Sequence, residues 1–167
     1  MDRDGIINED NKYVFEFEKI KWRRGIFETI SFLKSKKFLI CVVSNQSGIA
    51  RGFFKEKDVK FLHIQMNKIF KIKTGFVINK FKYCPYHPKA KILKYRKNSL
   101  KRKPAPGMIL EYIKEKKLNK KNCILFGDKK IDLKAALNAN IKGYQIKKNI
   151  KNIYPFIKKI IYQNFDV

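Results

Sequence analysis

The fold is decided by one stretch in the first half of the chain, Phe38-Leu39-Ile40-Cys41-Val42-Val43-Ser44-Asn45-Gln46. Its first six residues are apolar without interruption, which is typical of a strand that is buried on both faces of a sheet. Its last three residues are polar, so the strand ends there and leaves a hydroxyl and two amides at its carboxyl end. Such a strand favours a parallel sheet covered by helices, and therefore an α/β fold.

Strand-like and helix-like segments alternate along the rest of the chain. Three further apolar runs are predicted as strands: Phe76 to Tyr83, Cys123 to Phe126, and Gly143 to Ile146. Amphipathic segments predict four helices: Gly25 to Ser35, Glu56 to Ile72, Pro106 to Lys116, and Lys130 to Ala139. The alternation predicts one domain, residues 1–167, with a Rossmann-like parallel sheet and helices on both faces. In such a fold we expect the ligand site beyond the carboxyl ends of the strands.

The composition excludes several classes of protein. Hydrophobic residues make up 44% and aromatic residues 14% of the chain, which excludes a wholly disordered protein. The sequence has no apolar run of the roughly 18 residues that a membrane-spanning helix needs. Met1-Asp2-Arg3-Asp4 does not resemble a secretory signal, so we expect a cytoplasmic protein. The three cysteines, Cys41, Cys84 and Cys123, cannot all pair and are expected to be reduced.

The charge leaves two interpretations open. Forty Lys and Arg stand against 14 Asp and Glu, a net charge of +26, which is compatible with a nucleic-acid-binding protein. The excess is mostly Lys spread over the whole length, which favours a coding bias, with no specific nucleic acid as partner. Either way, the charge would attract anionic substrates such as sugar phosphates. In Ile150 to Phe165, basic and apolar residues alternate at near-helical spacing, and we expect a helix docked on the domain rather than on a membrane.

Four polar clusters fall at or between the predicted strand ends. They are Asp2-Arg3-Asp4-Gly5, Ser44-Asn45-Gln46-Ser47-Gly48, Arg102-Lys103-Pro104, and Gly127-Asp128-Lys129-Lys130-Ile131-Asp132. The carboxylates suit a hard cation, and the hydroxyl and ammonium groups suit phosphate oxygens. Each cluster alone is weak, because Asp-x-Asp often marks only a solvated turn and Gly-Asp often caps a helix. Their order along one β/α chain is the informative feature.

That order resembles the haloacid-dehalogenase-like phosphatases. The stretch Asn45-Gln46-Ser47-Gly48-Ile49-Ala50-Arg51-Gly52, with Tyr83-Cys84-Pro85 and Arg102-Lys103-Pro104-Ala105-Pro106-Gly107-Met108, is similar to the heptose bisphosphate phosphatase subfamily. The resemblance runs from Asp2 to about Ile146 and implies a minimal cap and a monomer. It implies hydrolysis of D-glycero-D-manno-heptose 1,7-bisphosphate, at carbon 7, toward the nucleotide-activated heptose of surface polysaccharide. Histidinol-phosphate phosphatases, or another small phosphomonoester phosphatase, are the related alternative.

The resemblance also implies a role for each matching residue. Asp2 is expected to be the nucleophile that forms an aspartyl-phosphate, and Asp4 the general acid and base. Mg²⁺ would be held by Asp2, Asp128 and the main-chain carbonyl of Asp4, while Ser44 and Lys103 would bind the transferring phosphoryl group. Asp132 would orient a lysine or support the metal. The expected substrate-binding residues are Asp10, Asn11, Lys12, Tyr13, Asn45, Gln46, Ser47, Arg102 and Lys129.

The sequence departs from the family pattern at two places. The family carries a zinc loop, Cys-x-His followed by Cys-x-Cys, and here only Cys84 and the displaced His87 remain, so we expect no zinc. Tyr86, Ser99 and Lys101 stand where the other ligands would be.

The second departure is the strand that precedes Asp-x-Asp in the family, which is here represented by Met1 alone, so the first strand is expected to be truncated. We expect a gap in the sheet and a nucleophile on a fraying terminus. A misplaced start is the favoured explanation, and an inactive remnant is the alternative.

Overall fold

The structure, a computed structural model, describes all 167 residues and contains two pairs of parallel strands. Strand β1 (Cys41–Asn45) pairs with β2 (Lys80–Cys84), and β3 (Ile124–Gly127) pairs with β4 (Lys142–Gln145). In each pair the apolar residues of the buried strand face helices on both sides, as expected for a sheet with two covered faces.

Met1 and Asp2 join the two pairs. Val43 N donates to Met1 O at 3.0 Å, and Asp2 N donates to Phe126 O at 2.8 Å. The order across the molecule is therefore β2, β1, the Met1–Asp2 segment, β3 and β4. All four strands end toward the same edge, which confirms the predicted parallel α/β arrangement.

Helices cover both faces of this arrangement. Their bounds are α1 Ile26–Ser35, α2 Ser47–Arg51, α3 Glu56–Thr74, α4 Gly107–Glu115, α5 Lys130–Asn138 and α6 Ile153–Asn164. One face carries a core built from α1, α3 and α6, with Ile30, Phe70 and Ile157 among its buried residues. The other carries a core built from α4 and α5, where Met108 and Ala136 are buried. The two long connections contain only 3-10 turns, Phe17–Lys19 and Leu93–Tyr95, which agrees with a minimal cap.

Helix α6 is docked on the domain, as expected. It packs against α1 and buries four isoleucines: Ile153, Ile157, Ile160 and Ile161. Asn152 caps its first turn by accepting a hydrogen bond from Tyr154 N, and Ile153 N donates to Arg24 O. None of the helices combines the length and the apolar character that a membrane crossing requires.

The predicted third strand begins later than the sequence indicated. The segment Phe76 to Asn79 was predicted as strand, but β2 begins at Lys80. The reason is that the side chain of Asn67 occupies the main-chain groups of Ile78: its amide accepts a hydrogen bond from Ile78 N and donates one to Ile78 O. Asn79 in turn accepts from Ile40 N, so the chain turns here before the parallel ladder begins.

The N-terminal segment confirms one expectation and corrects another. Beyond Met1 the inner edges of β1 and β3 border a mainly apolar pocket of about 790 Å³ that is half open to solvent, which is the expected gap. The expectation of a fraying terminus is wrong, because Met1 and Asp2 are buried and their main-chain groups bond to both flanking strands. Asp2 is thus held at the middle of the sheet by main-chain hydrogen bonds.

Candidate active site

The carboxyl edge of the strands brings the four predicted clusters together. Asp2 lies between β1 and β3, Ser44 lies near the end of β1, and Asp128 follows β3. Lys103 reaches the same point from the connection between β2 and α4. All four side chains are buried or nearly so, which places a group of charges in a poorly solvated position.

One ammonium group links two carboxylates at the centre. Lys103 Nζ lies 2.9 Å from Asp2 Oδ1 and 2.6 Å from Asp132 Oδ1, and the lysine side chain is 1% exposed. Burial raises the pKa of Asp2 to about 6, with Lys103 opposing the shift and Asp132 and Asp4 adding to it. Although burial lowers the pKa of Lys103, Asp2 and Asp132 outweigh it and hold the pKa above the usual value, so the group stays charged. At neutral pH the Asp2 carboxylate is ionised.

Lys103 is positioned through its main chain. Asn45, the last residue of β1, donates from Nδ2 to Lys103 O at 2.9 Å and accepts at Oδ1 from Lys103 N at 3.0 Å. Asn45 was predicted to contact substrate, but both ends of its amide are used in this pair. In this structure Asn45 holds the main chain of Lys103, and its contact with substrate stays a prediction.

Asp4 is held by a buried arginine. The guanidinium of Arg3, which has no exposed surface, contacts both Asp4 carboxylate oxygens, with Nη2 at 3.1 Å from Oδ1 and 3.2 Å from Oδ2. Arg3 also donates to Val14 O at 2.7 Å. Asn8 Nδ2 donates to Asp4 Oδ1, and Gln46 Nε2 donates to Asp4 Oδ2 and to Ser44 Oγ. The Gln46 amide, predicted to line the sugar site, thus ties the Asp4 carboxylate to the Ser44 hydroxyl.

The carboxylates of Asp2, Asp128 and Asp132 form a compact group with oxygen atoms within 4.8 Å of one another. Asp128 Oδ1 is buried without a hydrogen-bond partner, and burial raises the pKa of Asp128. Gly5, with a φ of +93°, leaves room for Asp128, because a Cβ on Gly5 would meet Asp128 Cγ at 2.3 Å. Asp132 is occupied by Lys103 and by Lys129 N, so it orients the lysine. A partnerless buried carboxylate beside an ionised one fits a hard divalent cation.

The remaining predicted residues lie at the rim of this group. Lys129 Nζ forms an ion pair with Asp10 Oδ2 at 2.7 Å, which lowers the pKa of Asp10 against the opposing effect of its partial burial. Asn11, Lys12 and Tyr13 are exposed, and the Tyr13 ring meets the ring of Phe53 edge-on. Arg102 is half-buried and donates to Tyr86 O at 3.2 Å, and Ser47 begins α2.

The comparisons with known proteins agree with this geometry. A family profile described as haloacid dehalogenase-like hydrolase matches residues 73–146. A D-glycero-beta-D-manno-heptose-1,7-bisphosphate 7-phosphatase of Rhodopseudomonas palustris is 35% identical over 162 residues, which cover 96% of this chain and 88% of the relative. The chain belongs to the heptose bisphosphate phosphatase family of haloacid dehalogenase-like hydrolases.

A second curated relative supports the family assignment, and a solved structure supports the fold. A D-glycero-alpha-D-manno-heptose-1,7-bisphosphate 7-phosphatase of Burkholderia mallei is 40% identical over 84% of this chain and 74% of its own length. The crystal structure of a D,D-heptose 1,7-bisphosphate phosphatase from B. bronchiseptica, complexed with magnesium and phosphate, matches with a TM-score of 0.83. That protein is 21% identical to this chain. The match covers 97% of this chain and 96% of the B. bronchiseptica chain, which shows that the two share a fold. The resemblance drawn from the motifs is confirmed.

The segment where the family carries its zinc loop is held here by aromatic and polar contacts. Cys84 is buried at the end of β2, and His87 Nδ1 accepts a hydrogen bond from Lys89 N. On either side of these residues, the hydroxyl groups of Tyr83 and Tyr95 both donate to the carboxylate of Glu56, each at 2.9 Å. These bonds fasten the segment before Arg102 to the first turn of α3.

Two residues of the site were missed by the sequence interpretation. Arg3 and Asn8 both hold the Asp4 carboxylate, and both are fully buried. Their positions inside and just after the Asp-x-Asp motif were visible, but a charged residue between two aspartates is also what a solvated turn would contain. Only the tertiary packing distinguishes the two situations.

Proposed function

We propose that the chain is a Mg²⁺-dependent phosphatase that removes the phosphate at carbon 7 of D-glycero-D-manno-heptose 1,7-bisphosphate. The reaction would serve the synthesis of nucleotide-activated heptose for surface polysaccharide. One observation carries the proposal: the buried carboxylate of Asp2 lies beside the ammonium of Lys103 and the partnerless carboxylate of Asp128. The names of the family members supply the substrate. One domain, residues 1–167, would act as a monomer.

Asp2 is suited to act as the nucleophile. Both of its short contacts, from Arg3 N at 2.7 Å and from Lys103 Nζ, go to Oδ1, which leaves Oδ2 for attack on phosphorus. The attack would form an aspartyl-phosphate and break the bond between phosphorus and the sugar oxygen. Because its pKa is about 6, Asp2 is ionised and nucleophilic at neutral pH.

Asp4 is suited to move the proton. In the first step it would give a proton to the departing sugar oxygen, and in the second it would take one from the water that hydrolyses the aspartyl-phosphate. Its carboxylate is 19% exposed, so it can exchange protons with solvent, while Arg3, Asn8 and Gln46 fix its direction.

The cation site follows from the same residues. Asp2, Asp128 and the main-chain carbonyl of Asp4 would hold Mg²⁺, which offsets the repulsion between an anionic nucleophile and an anionic phosphate when it is bound. Oxygen ligands alone favour Mg²⁺ over softer metals, in agreement with the donor set.

Ser44 and Lys103 would bind the oxygens of the transferring phosphoryl group, whose charge an ammonium and a hydroxyl stabilise in a buried site. Farther out, Arg102, Lys129, Ser47 and the Asp10 to Tyr13 segment would contact the sugar and its second phosphate. Arg102 and Lys129 are charged and partly accessible, which suits recognition of an anion at the rim.

The test is an assay with D-glycero-D-manno-heptose 1,7-bisphosphate, in both anomeric forms, followed by phosphorus NMR. We expect release of the carbon 7 phosphate with added Mg²⁺, loss of turnover with a chelator, and no turnover in Asp2→Asn. Histidinol phosphate, assayed in parallel, should be a poor substrate, and elemental analysis should find little zinc. Turnover by Asp2→Asn near that of the parent would exclude Asp2 as the nucleophile. A preference for histidinol phosphate would show that the chain is a histidinol-phosphate phosphatase instead.

A further inference from the structure

The segment from Asp10 to Val14 contains two consecutive residues in a left-handed backbone conformation. Lys12 has a φ of 50° and Tyr13 a φ of 54°. The other non-glycine residues with a positive φ each lie just past the end of a helix, where this conformation is common: Lys37, Lys117 and Asn140. A left-handed pair of bulky residues away from a helix end is unfavourable by itself, so contacts around it must hold it in place.

Both ends of this segment are held by residues of the candidate active site. At one end Lys129 Nζ lies 2.7 Å from Asp10 Oδ2. At the other end Arg3 Nη2 donates to Val14 O at 2.7 Å. Neither contact involves the side chain of Tyr13, whose ring is held from another direction.

The ring of Tyr13 is held by Phe53, which follows helix α2. The two ring centroids are 4.8 Å apart and the ring planes are inclined by 78°, an edge-to-face pair. Gly48 leaves room for the ring of Tyr13, because a Cβ at Gly48 would lie 3.1 Å from Tyr13 Cδ1. Phe53 is itself fixed through its main chain, since Phe53 N donates to Gly48 O at 2.9 Å.

Phe53 contributes little to the core of the domain. The residue is 52% exposed, and its ring meets one other ring, that of Tyr13. A single exposed apolar side chain is common on protein surfaces, so the exposure carries no argument. The argument rests on the contact, because it fixes a side chain whose own backbone conformation is unfavourable.

Tyr13 lies where the non-reacting part of a substrate would be bound. It is 42% exposed at the rim of the site. Burial lowers the pKa of Arg102, and the phenol of Tyr13 is close enough to oppose the shift. An aromatic ring with a hydroxyl at its tip offers a sugar an apolar surface and a hydrogen-bonding group. The position of this ring therefore affects which molecules fit beside Arg102.

We infer that Phe53 is a positioning residue that sets substrate specificity: it holds the ring of Tyr13 at the rim, where the ring orders the non-reacting part of the sugar phosphate. The inference rests on the proposed function, which supplies the sugar phosphate. Without Phe53, Lys12 and Tyr13 would relax toward negative φ, and the ring would leave the rim. Asp2 and Lys103 would keep their places, because they are held by hydrogen bonds to the strands.

The kinetic experiment compares Phe53→Ala and Phe53→Tyr with the control Phe61→Ala. Phe61 lies on α3 and is 59% exposed. The substrates are D-glycero-D-manno-heptose 1,7-bisphosphate and acetyl phosphate, whose small leaving group has no sugar for Tyr13 to order. We expect Phe53→Ala to raise KM for the bisphosphate about tenfold with a smaller change in kcat. The ratio of kcat/KM for the bisphosphate to that for acetyl phosphate should fall by about the same factor. Phe53→Tyr, which keeps the ring, and Phe61→Ala should retain the values of the parent.

A second experiment tests the strained backbone directly. Glycine adopts a positive φ without strain, so Lys12→Gly makes the segment less dependent on Phe53. In a double-mutant cycle, Phe53→Ala should raise KM by a smaller factor in the Lys12→Gly background than in the parent. Lys37→Gly makes the same change at a positive φ outside the site and should leave the effect of Phe53→Ala unaltered. The NMR Cα shifts of Lys12 and Tyr13 report φ without substrate, and should move in Phe53→Ala but not in Phe53→Tyr.

The possible failures are distinguishable. If the parent hydrolyses the bisphosphate and Phe53→Ala leaves KM unchanged, the inference is overturned and the proposed function stands. An equal loss with both substrates would mean a purely structural role and would also overturn it, as would strict additivity with Lys12→Gly or unmoved Cα shifts in Phe53→Ala. A parent that hydrolyses acetyl phosphate but not the bisphosphate would overturn the proposed substrate and the assigned specificity together, and the Cα shifts would then decide the positioning role alone.

Discussion

Arg3 shows how much of the chemistry of the site depends on a side chain that does not react. Arg3 stands between two aspartates in the sequence and has no exposed surface. Its guanidinium donates hydrogen bonds to the Asp4 carboxylate and to Val14 O. Since a guanidinium fork matches a carboxylate in direction as well as charge, Arg3 fixes the orientation of the Asp4 carboxylate, the proposed general acid and base.

Replacing Arg3 by methionine tests this positioning role. We expect Arg3→Met to lower kcat with a smaller change in KM, and to reduce the free energy of unfolding by about 3 kcal/mol, since one partner of a buried ion pair is removed. Arg23, which donates to Ile150 O outside the site, offers the matched variant Arg23→Met. Steady-state kinetics and urea unfolding on both variants decide the matter. An equal fall of kcat in both would mean that the loss is structural.

His63 predicts a pH dependence of stability. Burial, together with the guanidinium of Arg3 at 3.5 Å, lowers its pKa from 6.5 to about 3. Between these pH values the unfolded chain binds a proton that the folded chain does not. His63 therefore contributes a loss of folded-state stability as the pH falls through this window, by up to about 1.4 kcal/mol per pH unit, and below about pH 6 the raised pKa of Asp2 offsets part of it.

Urea unfolding at pH 7, 6 and 5 measures this loss. We expect His63→Gln to flatten the decline more than His87→Gln, the substitution of the only other histidine, because burial lowers the pKa of both but His87 is only partly buried. His63 stacks on Phe81, so we expect His63→Gln to be less stable at every pH. The test is therefore the change in the free energy of unfolding with pH and not its absolute value. An unchanged slope in His63→Gln would contradict the assigned protonation.

At the scale of single residues, the sequence predicted that the proposed reacting groups meet, but it did not predict the groups that hold them. Asp2, Ser44, Lys103 and Asp128 meet because parallel strands end at one edge, which the alternation of apolar runs is enough to predict. The exchange of hydrogen bonds between Asn45 and Lys103 joins residues far apart in sequence. No local pattern distinguishes that exchange from a polar contact with substrate.

At the scale of elements, the predicted helices were found, and the boundaries of strands shifted for identifiable reasons. The first predicted strand began at Phe38, but β1 begins at Cys41, because Ile40 N donates to the side chain of Asn79 and not to a main-chain carbonyl. The short helix α2 was not predicted, because five residues are too few to show the apolar periodicity by which a helix is recognised in a sequence.

The connection between β2 and α4 gives a prediction at this scale. Glu56, at the start of α3, accepts from both Tyr83 and Tyr95 and so fastens the segment that leads to Arg102. We expect Glu56→Ala to raise KM about tenfold with little change in kcat, because two hydrogen bonds of roughly 1 kcal/mol each are lost away from the reacting atoms. Glu28, in the first turn of α1 and exposed, provides the control Glu28→Ala. Steady-state kinetics measures both, and unchanged KM in Glu56→Ala would show that this segment does not order the rim.

At the scale of the whole molecule, the acidic residues are concentrated at the active site. Five of the 14 acidic residues are gathered there in a chain with a net charge of +26: Asp2, Asp4, Asp10, Asp128 and Asp132. The remaining surface is strongly basic, so a phosphate ester is attracted from a distance, while a cation finds its partners only inside.

This distribution predicts different salt dependences for two kinds of binding. Binding to duplex DNA should be weak, indifferent to sequence, and lost by roughly 200 mM salt, because only the neutralisation of phosphates drives it. Turnover of the sugar phosphate should fall more gently, because Lys103 acts at short range in a buried site. Parallel salt titrations measure both, and tight sequence-selective binding at about 200 mM salt in a protein without phosphatase activity would favour the nucleic-acid interpretation.

The pairing of Asn45 with the main chain of Lys103 has a consequence for chemical rescue. The backbone at Lys103 is held whether or not its side chain is present, so Lys103→Ala should leave a narrow channel that ends between the carboxylates of Asp2 and Asp132. We expect this variant to lose about 100- to 1,000-fold in turnover and to recover part of it, saturably, when ethylammonium is added. Combining it with Asn45→Ala should abolish the recovery, because the loop that shapes the channel is released. A small amine would then stand in for the missing side chain only where the strand end still holds the loop in place.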